Sequence, residues 1–188
     1  MQQPPELPAS ARAKVRILVN PAPIWARLLA GIADATVAFL LSMLIIVFVM
    51  IPVFFPETGD VLYEYQSQAT SSISENNKLI QKFLENPAVQ NMVLAAAIIN
   101  FLTIFFYYAV NEWLLKGSSF GKKIFSIRTV RRSPEEPMNT NVIILRAWLK
   151  TLFLMFFPPY LWITFIWAVF HKEKRAVHDL ITGTWVID

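Results

Sequence analysis

Two side chains of opposite charge stand near the start of the first long apolar stretch of the sequence. Arg27 and Asp34 are seven residues apart, and only apolar or small residues separate them. On an α-helix the two would share one face, ~10 Å apart along the axis, with Asp34 ~15 Å beyond a helix start at Ile24. An ionised carboxylate in such apolar surroundings must be paired or hydrated. The pattern indicates either a site for a cation, a proton or a charged substrate, or a structural clamp to a basic partner.

A second apolar stretch carries polar side chains that recur at helical spacing. Asn100, Thr103, Tyr107 and Asn111 fall on one face of a helix, and Glu112 follows directly. Such a stripe can hydrogen-bond a neighbouring helix. Alternatively, it can line a hydrated cavity shared with Asp34, with Glu112 near its mouth.

The sequence carries no recognisable catalytic or metal-binding constellation. There is no cysteine, and the two histidines, His171 and His178, lie among basic residues without the ligand sets that metals need. We expect both to be surface residues. The segment 117–123 has three residues between its glycines and a lysine after Lys122, whereas a phosphate loop needs four and a serine or threonine. We also expect a strand rather than a helix to follow it. The sequence therefore predicts neither an enzyme nor a cofactor or metal site.

The composition places these residues in a membrane protein. Of the 188 residues 55% are hydrophobic and only 16% are charged, whereas soluble domains carry about 25% charged residues. Residues 24–55 and 88–115 are long enough to cross a bilayer, which takes about 20 apolar residues. Pro52 and Pro56 mark the end of the first stretch. The predicted fold is an all-α membrane protein with two full transmembrane helices, a helical hairpin broken at Pro158–Pro159, and a small two-stranded cytoplasmic β element.

The charge pattern divides the chain into alternating segments. These are an N-terminal arm (1–23), an outer polar segment (57–86) with an amphipathic helix over 74–86, a basic connector (116–141), the hairpin (142–170) and a tail (171–188). Basic residues near span ends favour the cytoplasmic side and attract anionic lipid headgroups. We therefore expect the arm, the connector and the tail on the cytoplasmic side. Because the basic residues flank apolar stretches, nucleic-acid binding is not expected.

The last apolar region allows two topologies. One kinked helix across the membrane would place the basic tail opposite the basic connector, against the charge bias. A hairpin that enters and returns on one side keeps them together. Residues 123–130 and 182–187 each read as a short strand, and a strand needs a partner. We favour the hairpin, because it lets these two strands pair.

Three segments in the right order resemble the RDD family, which is named for one arginine and two aspartates. Arg27-Leu-Leu-Ala-Gly-Ile-Ala-Asp34 resembles its first helix, and Gly117-Ser-Ser-Phe-Gly-Lys-Lys-Ile-Phe-Ser-Ile-Arg-Thr-Val130 resembles its connector. Arg175-Ala-Val-His-Asp-Leu-Ile-Thr-Gly-Thr184 resembles its ending, so the resemblance implies that Asp179 is the second aspartate. Glu112 and Arg146 stand where the family often has an acid and an arginine. Ser119 and Ser126 depart from its usual threonine and glycine.

The resemblance implies a protein of a bacterial inner membrane and leaves two functions open. The first is a small transporter or cation/proton exchanger, in which Asp34 titrates, Arg27 tunes it, and Asp179 and Glu112 act as gates. The second is a non-catalytic scaffold or partner-binding subunit, in which these charges are internal clamps and Asp179 holds the tail to Arg128 or Arg175. Either function suits a homo-oligomer or a membrane-complex partner.

Overall fold

The computed structural model describes residues 21–68, 73–131, 138–156, 160–171 and 175–188. Most of the N-terminal arm and the Pro158–Pro159 break lie outside these ranges. The long helices are α1 (Ile24–Ile45), α5 (Pro87–Leu114), α7 (Thr140–Phe156) and α8 (Tyr160–Phe170). The shorter elements are α2 (Ile51–Phe54), α3 (Thr58–Ser67), α4 (Ile73–Glu85), α6 (Phe120–Ile124), α9 (Val177–Thr182), β1 (Arg128–Val130) and β2 (Trp185–Ile187).

The chain divides into two compact units. Unit 1 contains the chain up to Ala35 and from Tyr108 to Asp188, and unit 2 contains Thr36–Tyr107. Helices α1 and α5 contribute residues to both. Five of the six candidate site residues belong to unit 1, and Asn100 belongs to unit 2.

Two continuous helices of the described residues are long and apolar enough to cross a membrane, Ile24–Phe54 and Pro87–Leu114. Both predicted long apolar helices are therefore present as candidate membrane spans. The first does not stop at Pro52, because a π-helical turn over Ile46–Met50 precedes the proline and α2 continues to Phe54. Proline lacks the N–H that an α-helix needs. The wider turn, in which the Ile51 N–H donates to the Ile46 carbonyl, carries the helix past this point.

Unit 2 contains the outer polar segment, and its structure is more helical than predicted. The expected amphipathic helix is present as α4. Helix α3 was not predicted, because its ten residues mix polar and aromatic side chains without an apolar stripe. The edge of the Tyr65 ring meets the Phe83 ring at 4.9 Å between centroids, so α3 packs against α4.

In unit 1 the connector and the tail pair as an antiparallel two-stranded sheet. Arg128 lies opposite Ile187, and Val130 lies opposite Trp185. The pairing was predicted, but both strands are shorter than expected. Lys123 and Ile124 belong to helix α6, and Thr182 belongs to α9, so the expected strand directly after the 117–123 segment was wrong. Ile124 is exposed at this point, whereas Ile127 is buried with Ala22, Ala30 and Val186. The alternation typical of a strand begins only after α6.

Helices α7 and α8 lie on either side of the predicted Pro158–Pro159 break. The two contact each other, and the tail helix α9 contacts both. One face of α7 is buried, and it carries Ile143, Arg146, Ala147 and Thr151. That spacing of three or four residues places a fully buried arginine on the packed face, and this arginine organises the site.

Candidate functional site

Asp34 projects from α1 to the start of α6. Its carboxylate accepts hydrogen bonds from the Ser119 hydroxyl and from the Gly121 backbone N–H, the latter at 2.7 Å. The first N–H groups of a helix have no partner within the helix. Ser119 stands at the N-cap of α6 but makes no capping bond with its own side chain. Asp34 therefore caps α6 from another helix, and its negative charge lies at the favourable end of the helix.

Gly121 makes this contact possible because it has no side chain. A Cβ at this position would overlap the backbone carbonyl oxygen of Ala30 and lie 3.0 Å from the Asp34 carboxylate carbon. Helices α1 and α6 can therefore approach until their backbones touch. The glycine of the connector motif thus has a packing role rather than a phosphate-binding one.

Glu112, at the last turn of α5, is fully buried and contacts three cations. Lys122 Nζ lies 2.9 Å from its carboxylate, Arg146 Nε lies 3.1 Å from it, and Lys150 Nζ forms a third ion pair. Burying a charge costs several kcal/mol unless partners compensate. One carboxylate therefore joins three elements, α5, α6 and α7.

Arg146 connects this group to the tail. Its Nη1 donates to Asp179 at 2.6 Å and also to Thr184, while its Nη2 lies 3.4 Å from the Thr129 hydroxyl. The side chain is inaccessible to solvent. Its guanidinium, which carries five fixed N–H donors, suits such a junction. Through Thr129 and Thr184, Arg146 holds the connector and the tail together beside the β-sheet.

The tail helix places His178 beside Asp179. Burial is the main reason that the pKa of His178 is lowered to about 3, and the nearby cations Arg146 and Lys150 act in the same direction. Burial alone would raise the pKa of Asp179, but His178 and Arg146 lower it well below its usual range. At neutral pH the pair is thus a neutral imidazole next to an ionised carboxylate. His178 is not the surface residue that the sequence predicted.

Arg27, in α1, and Arg175, at the start of the described part of the tail, both donate hydrogen bonds to backbone carbonyls of the tail. Arg27 Nη2 donates to the Val186 carbonyl at 2.6 Å, and Arg175 donates to the carbonyls of Thr184 and Asp179. The Arg175 guanidinium also lies 4.3 Å from the centre of the Trp185 ring. The Asp179 carboxylate itself pairs with Arg146, so the expected clamp to Arg128 or Arg175 was placed on the wrong arginine.

A cavity of about 120 Å³ opens among these groups within unit 1. Its charged lining consists of Arg27, Asp34, Lys122, Arg146, Lys150 and Asp179, joined by His178. Its remaining walls are largely apolar, with Ile24, Leu28, Leu154 and Ala168 among them. The described residues contain no group of three side chains that could hold a metal ion.

Four of the six residues predicted from sequence line this cavity, and Glu112 joins them through its ion pairs with Lys122, Arg146 and Lys150. Asn100 belongs to unit 2, where its buried side-chain oxygen accepts no hydrogen bond from the described residues. Sequence reasoning missed Ser119, Lys122, Lys150 and the three threonines at positions 129, 182 and 184 as site residues. Their signal was present in part, because all of them except Lys150 lie within the motifs that resemble the family.

A comparison with protein families gives one match that covers most of the chain. The RDD family model matches residues 21–183, which is most of the chain and includes all six residues predicted from the sequence. This match confirms the resemblance read from the three segments. Neither the curated proteins nor the solved structures provided a match.

Proposed function

The chain belongs to the RDD family, and we propose that it is a non-catalytic integral membrane subunit that acts as a scaffold or binds a partner in a membrane complex. Family membership and the two apolar helices support a membrane protein. One observation supports the scaffold role above all. Each of the three carboxylates that are buried among the described residues, Asp34, Glu112 and Asp179, accepts bonds from two or more donors within unit 1.

The bonding of these carboxylates suits a clamp better than a transport site. An exchanger must release a proton or cation from its carboxylate in every cycle. Glu112 would have to lose contact with three cations, and Asp34 would have to release the N-terminus of α6. Leaving one member of a buried pair unpaired costs about 3–5 kcal/mol. In our proposal the charges stay paired and fix the connector and tail as a rigid platform for a partner.

A second candidate, cation/proton exchange, is favoured by the cavity itself. Arg27 and Asp34 both line it, which is the placement that an exchanger would need. In this alternative Asp34 titrates and Arg27 tunes it, while Asp179 and Glu112 gate the mouth. The two candidates differ in whether protonation of Asp34 is part of the function.

The proposed topology keeps the arm, the connector and the tail on the cytoplasmic side of a bacterial inner membrane. Ala168, near the end of α8, and Lys150, in α7, line the same cavity, which supports a hairpin that returns to its entry side. The pairing of β1 with β2 also supports placing the connector and the tail on one side. The positive-inside bias supplies the orientation. Homo-oligomers or a partner chain would complete the assembly.

Ion flux in proteoliposomes distinguishes the two candidates. We would impose a pH gradient and then a sodium or potassium gradient on wild type, Asp34→Asn and Asp60→Asn. Asp60 is an exposed acid of α3 in unit 2 and provides the matched control. Each variant would first be checked for folding and monodispersity by size exclusion and thermal unfolding.

The scaffold proposal predicts flux no greater than in empty liposomes for all three proteins. It also predicts a larger fall in melting temperature for Asp34→Asn than for Asp60→Asn, because Asp34 is buried and bonded to Ser119 and Gly121, whereas Asp60 is exposed. Cation flux by wild type that persists in Asp60→Asn and vanishes in a folded Asp34→Asn would overturn the scaffold proposal in favour of exchange.

A further inference from the structure

The cavity of unit 1 carries more positive than negative charge. Four cations line it, Arg27, Lys122, Arg146 and Lys150, against two carboxylates, Asp34 and Asp179. Glu112, bound to three of these cations, adds a third carboxylate. With His178 neutral, one positive charge is in excess.

The carboxylates are already engaged, so the excess charge favours an anionic ligand. Asp34 accepts from Ser119 and Gly121, and Asp179 accepts from Arg146. A further cation would meet four cations at short range in surroundings of low dielectric constant, where repulsion is strong. An anion would be attracted by the same groups.

Two of the lysines reach the cavity surface. The side chains of Lys122 and Lys150 keep 10% and 11% of their area exposed, whereas Arg146 has none. Lys150 Nζ also lies 4.9 Å from the centre of the Tyr108 ring, which fixes its position in the wall. Each ammonium has three donors, and such groups bind phosphate oxygens as point charges.

The apolar part of the lining restricts the ligand further. Ile24, Leu28, Leu154 and Ala168 provide a surface that suits a hydrocarbon chain. A cavity of about 120 Å³ has room for a group of several heavy atoms, not for a whole lipid. Basic pockets between membrane helices bind lipid headgroups in other proteins.

We infer that this cavity binds a phosphate group, with Arg27, Lys122 and Lys150 as its ligands, and that the phosphate belongs to an anionic lipid whose chain lies along the apolar wall. Free inorganic phosphate shares the recognised chemistry and is the other source. The site goes beyond the scaffold proposal, since a scaffold or an exchanger could carry it.

The test uses the full chain in detergent micelles with three probes. These are short-chain phosphatidylglycerol, phosphatidylcholine of the same chain length, and inorganic phosphate. The melting temperature is measured at increasing concentrations of each probe, because it rises when a ligand binds the folded state. We compare wild type with Lys150→Gln, which removes a cavity cation, and Lys123→Gln, which removes an exposed cation from the same connector. Ala168→Leu fills the cavity without changing any charge.

For wild type we expect phosphatidylglycerol to bind about tenfold or more tightly than phosphatidylcholine, which carries no net charge. Lys150→Gln should weaken phosphatidylglycerol binding by about tenfold, because a buried cation is lost, and Ala168→Leu should abolish it. Lys123→Gln should stay within about twofold of wild type, because an exposed charge contributes little. Inorganic phosphate with equal affinity would identify the free anion as the source and still support the site.

Three results would overturn the inference. The first is equal binding of phosphatidylglycerol and phosphatidylcholine by wild type, together with no effect of inorganic phosphate. The second is a loss in Lys123→Gln as large as that in Lys150→Gln, which would mean diffuse surface attraction. The third is a folded Ala168→Leu variant that binds phosphatidylglycerol as wild type does. The third variant keeps the test decisive if Lys150→Gln fails to fold.

Discussion

The two units of the chain bury different kinds of side chain. In unit 1 the buried groups include Asp34, Glu112, Lys122, Arg146 and Asp179, together with several threonines and serines. Among the described residues of unit 2, Ala38, Met50, Val89, Ile104 and Tyr107 are buried, and Ser42 and Thr58 are the only buried polar ones. The same chain therefore uses two modes of packing.

The difference between the buried side chains of the two units follows from the surroundings proposed for each unit. Apolar helices in lipid gain little from burying apolar surface, because lipid chains are equally apolar. Helix ends that converge beside short, irregular segments must also satisfy free backbone groups. In unit 1, charged side chains bond these free backbone groups and also hold together elements that are distant in sequence. Its stability should depend on a few polar residues, and that of unit 2 on none of comparable weight.

The largest predicted effect comes from breaking the shared carboxylate. Glu112→Gln leaves Lys122, Arg146 and Lys150 without their common counter-ion, and it should lower the free energy of unfolding by about 3–5 kcal/mol. Glu57→Gln, at an exposed acid of unit 2, should change it by less than about 0.5 kcal/mol. Unfolding in detergent with increasing denaturant measures both. Equal effects would mean that the Glu112 cluster carries no special share of the stability.

A pair of glycine substitutions, one in each unit, tests the difference in packing between unit 1 and unit 2 without altering charge. Gly121→Ala places a Cβ against the Ala30 carbonyl, so the backbones must separate, at a cost of about 1–3 kcal/mol. In α3 a Cβ at Gly59 meets nothing within 4 Å, so Gly59→Ala should stabilise the helix by up to about 1 kcal/mol. Melting temperatures should thus move in opposite directions. A Gly121→Ala variant as stable as wild type would contradict the close approach of α1 and α6.

A smaller effect should appear in the dependence of stability on pH. His178 has a folded pKa of about 3, below its unfolded value, so only the unfolded chain takes up this proton as the pH falls below about 6.5. Stability should therefore fall by about 1 kcal/mol per pH unit between pH 6 and 4. His178→Gln should remove this slope, and His171→Gln serves as the control. An unchanged slope in His178→Gln would contradict the burial of the imidazole in the folded state.

The sequence predicted the helices far better than the contacts of the site. The composition of a long apolar stretch indicates a candidate span, so the bounds of the helices Ile24–Phe54 and Pro87–Leu114 were predicted almost to the residue. The bond from Asp34 to the start of α6 could not be predicted, because it depends on a five-residue helix hidden in a strand-like sequence. The pairing of Asp179 with Arg146 was missed for a related reason. It depends on how α7 and α9 pack, and Arg128 and Arg175 offered the same charge as Arg146.

The most direct test of the clamp is a double-mutant cycle on Arg146 and Asp179. The free energies of unfolding of wild type, Arg146→Met, Asp179→Leu and the double variant would be measured in detergent. Each single variant should lose about 3–5 kcal/mol, and the double variant should recover much of that loss, because it leaves neither charge of the pair buried alone. The coupling energy should then exceed about 1.5 kcal/mol. Additive losses, with a coupling energy near zero, would contradict the claim that this ion pair holds the tail to α7.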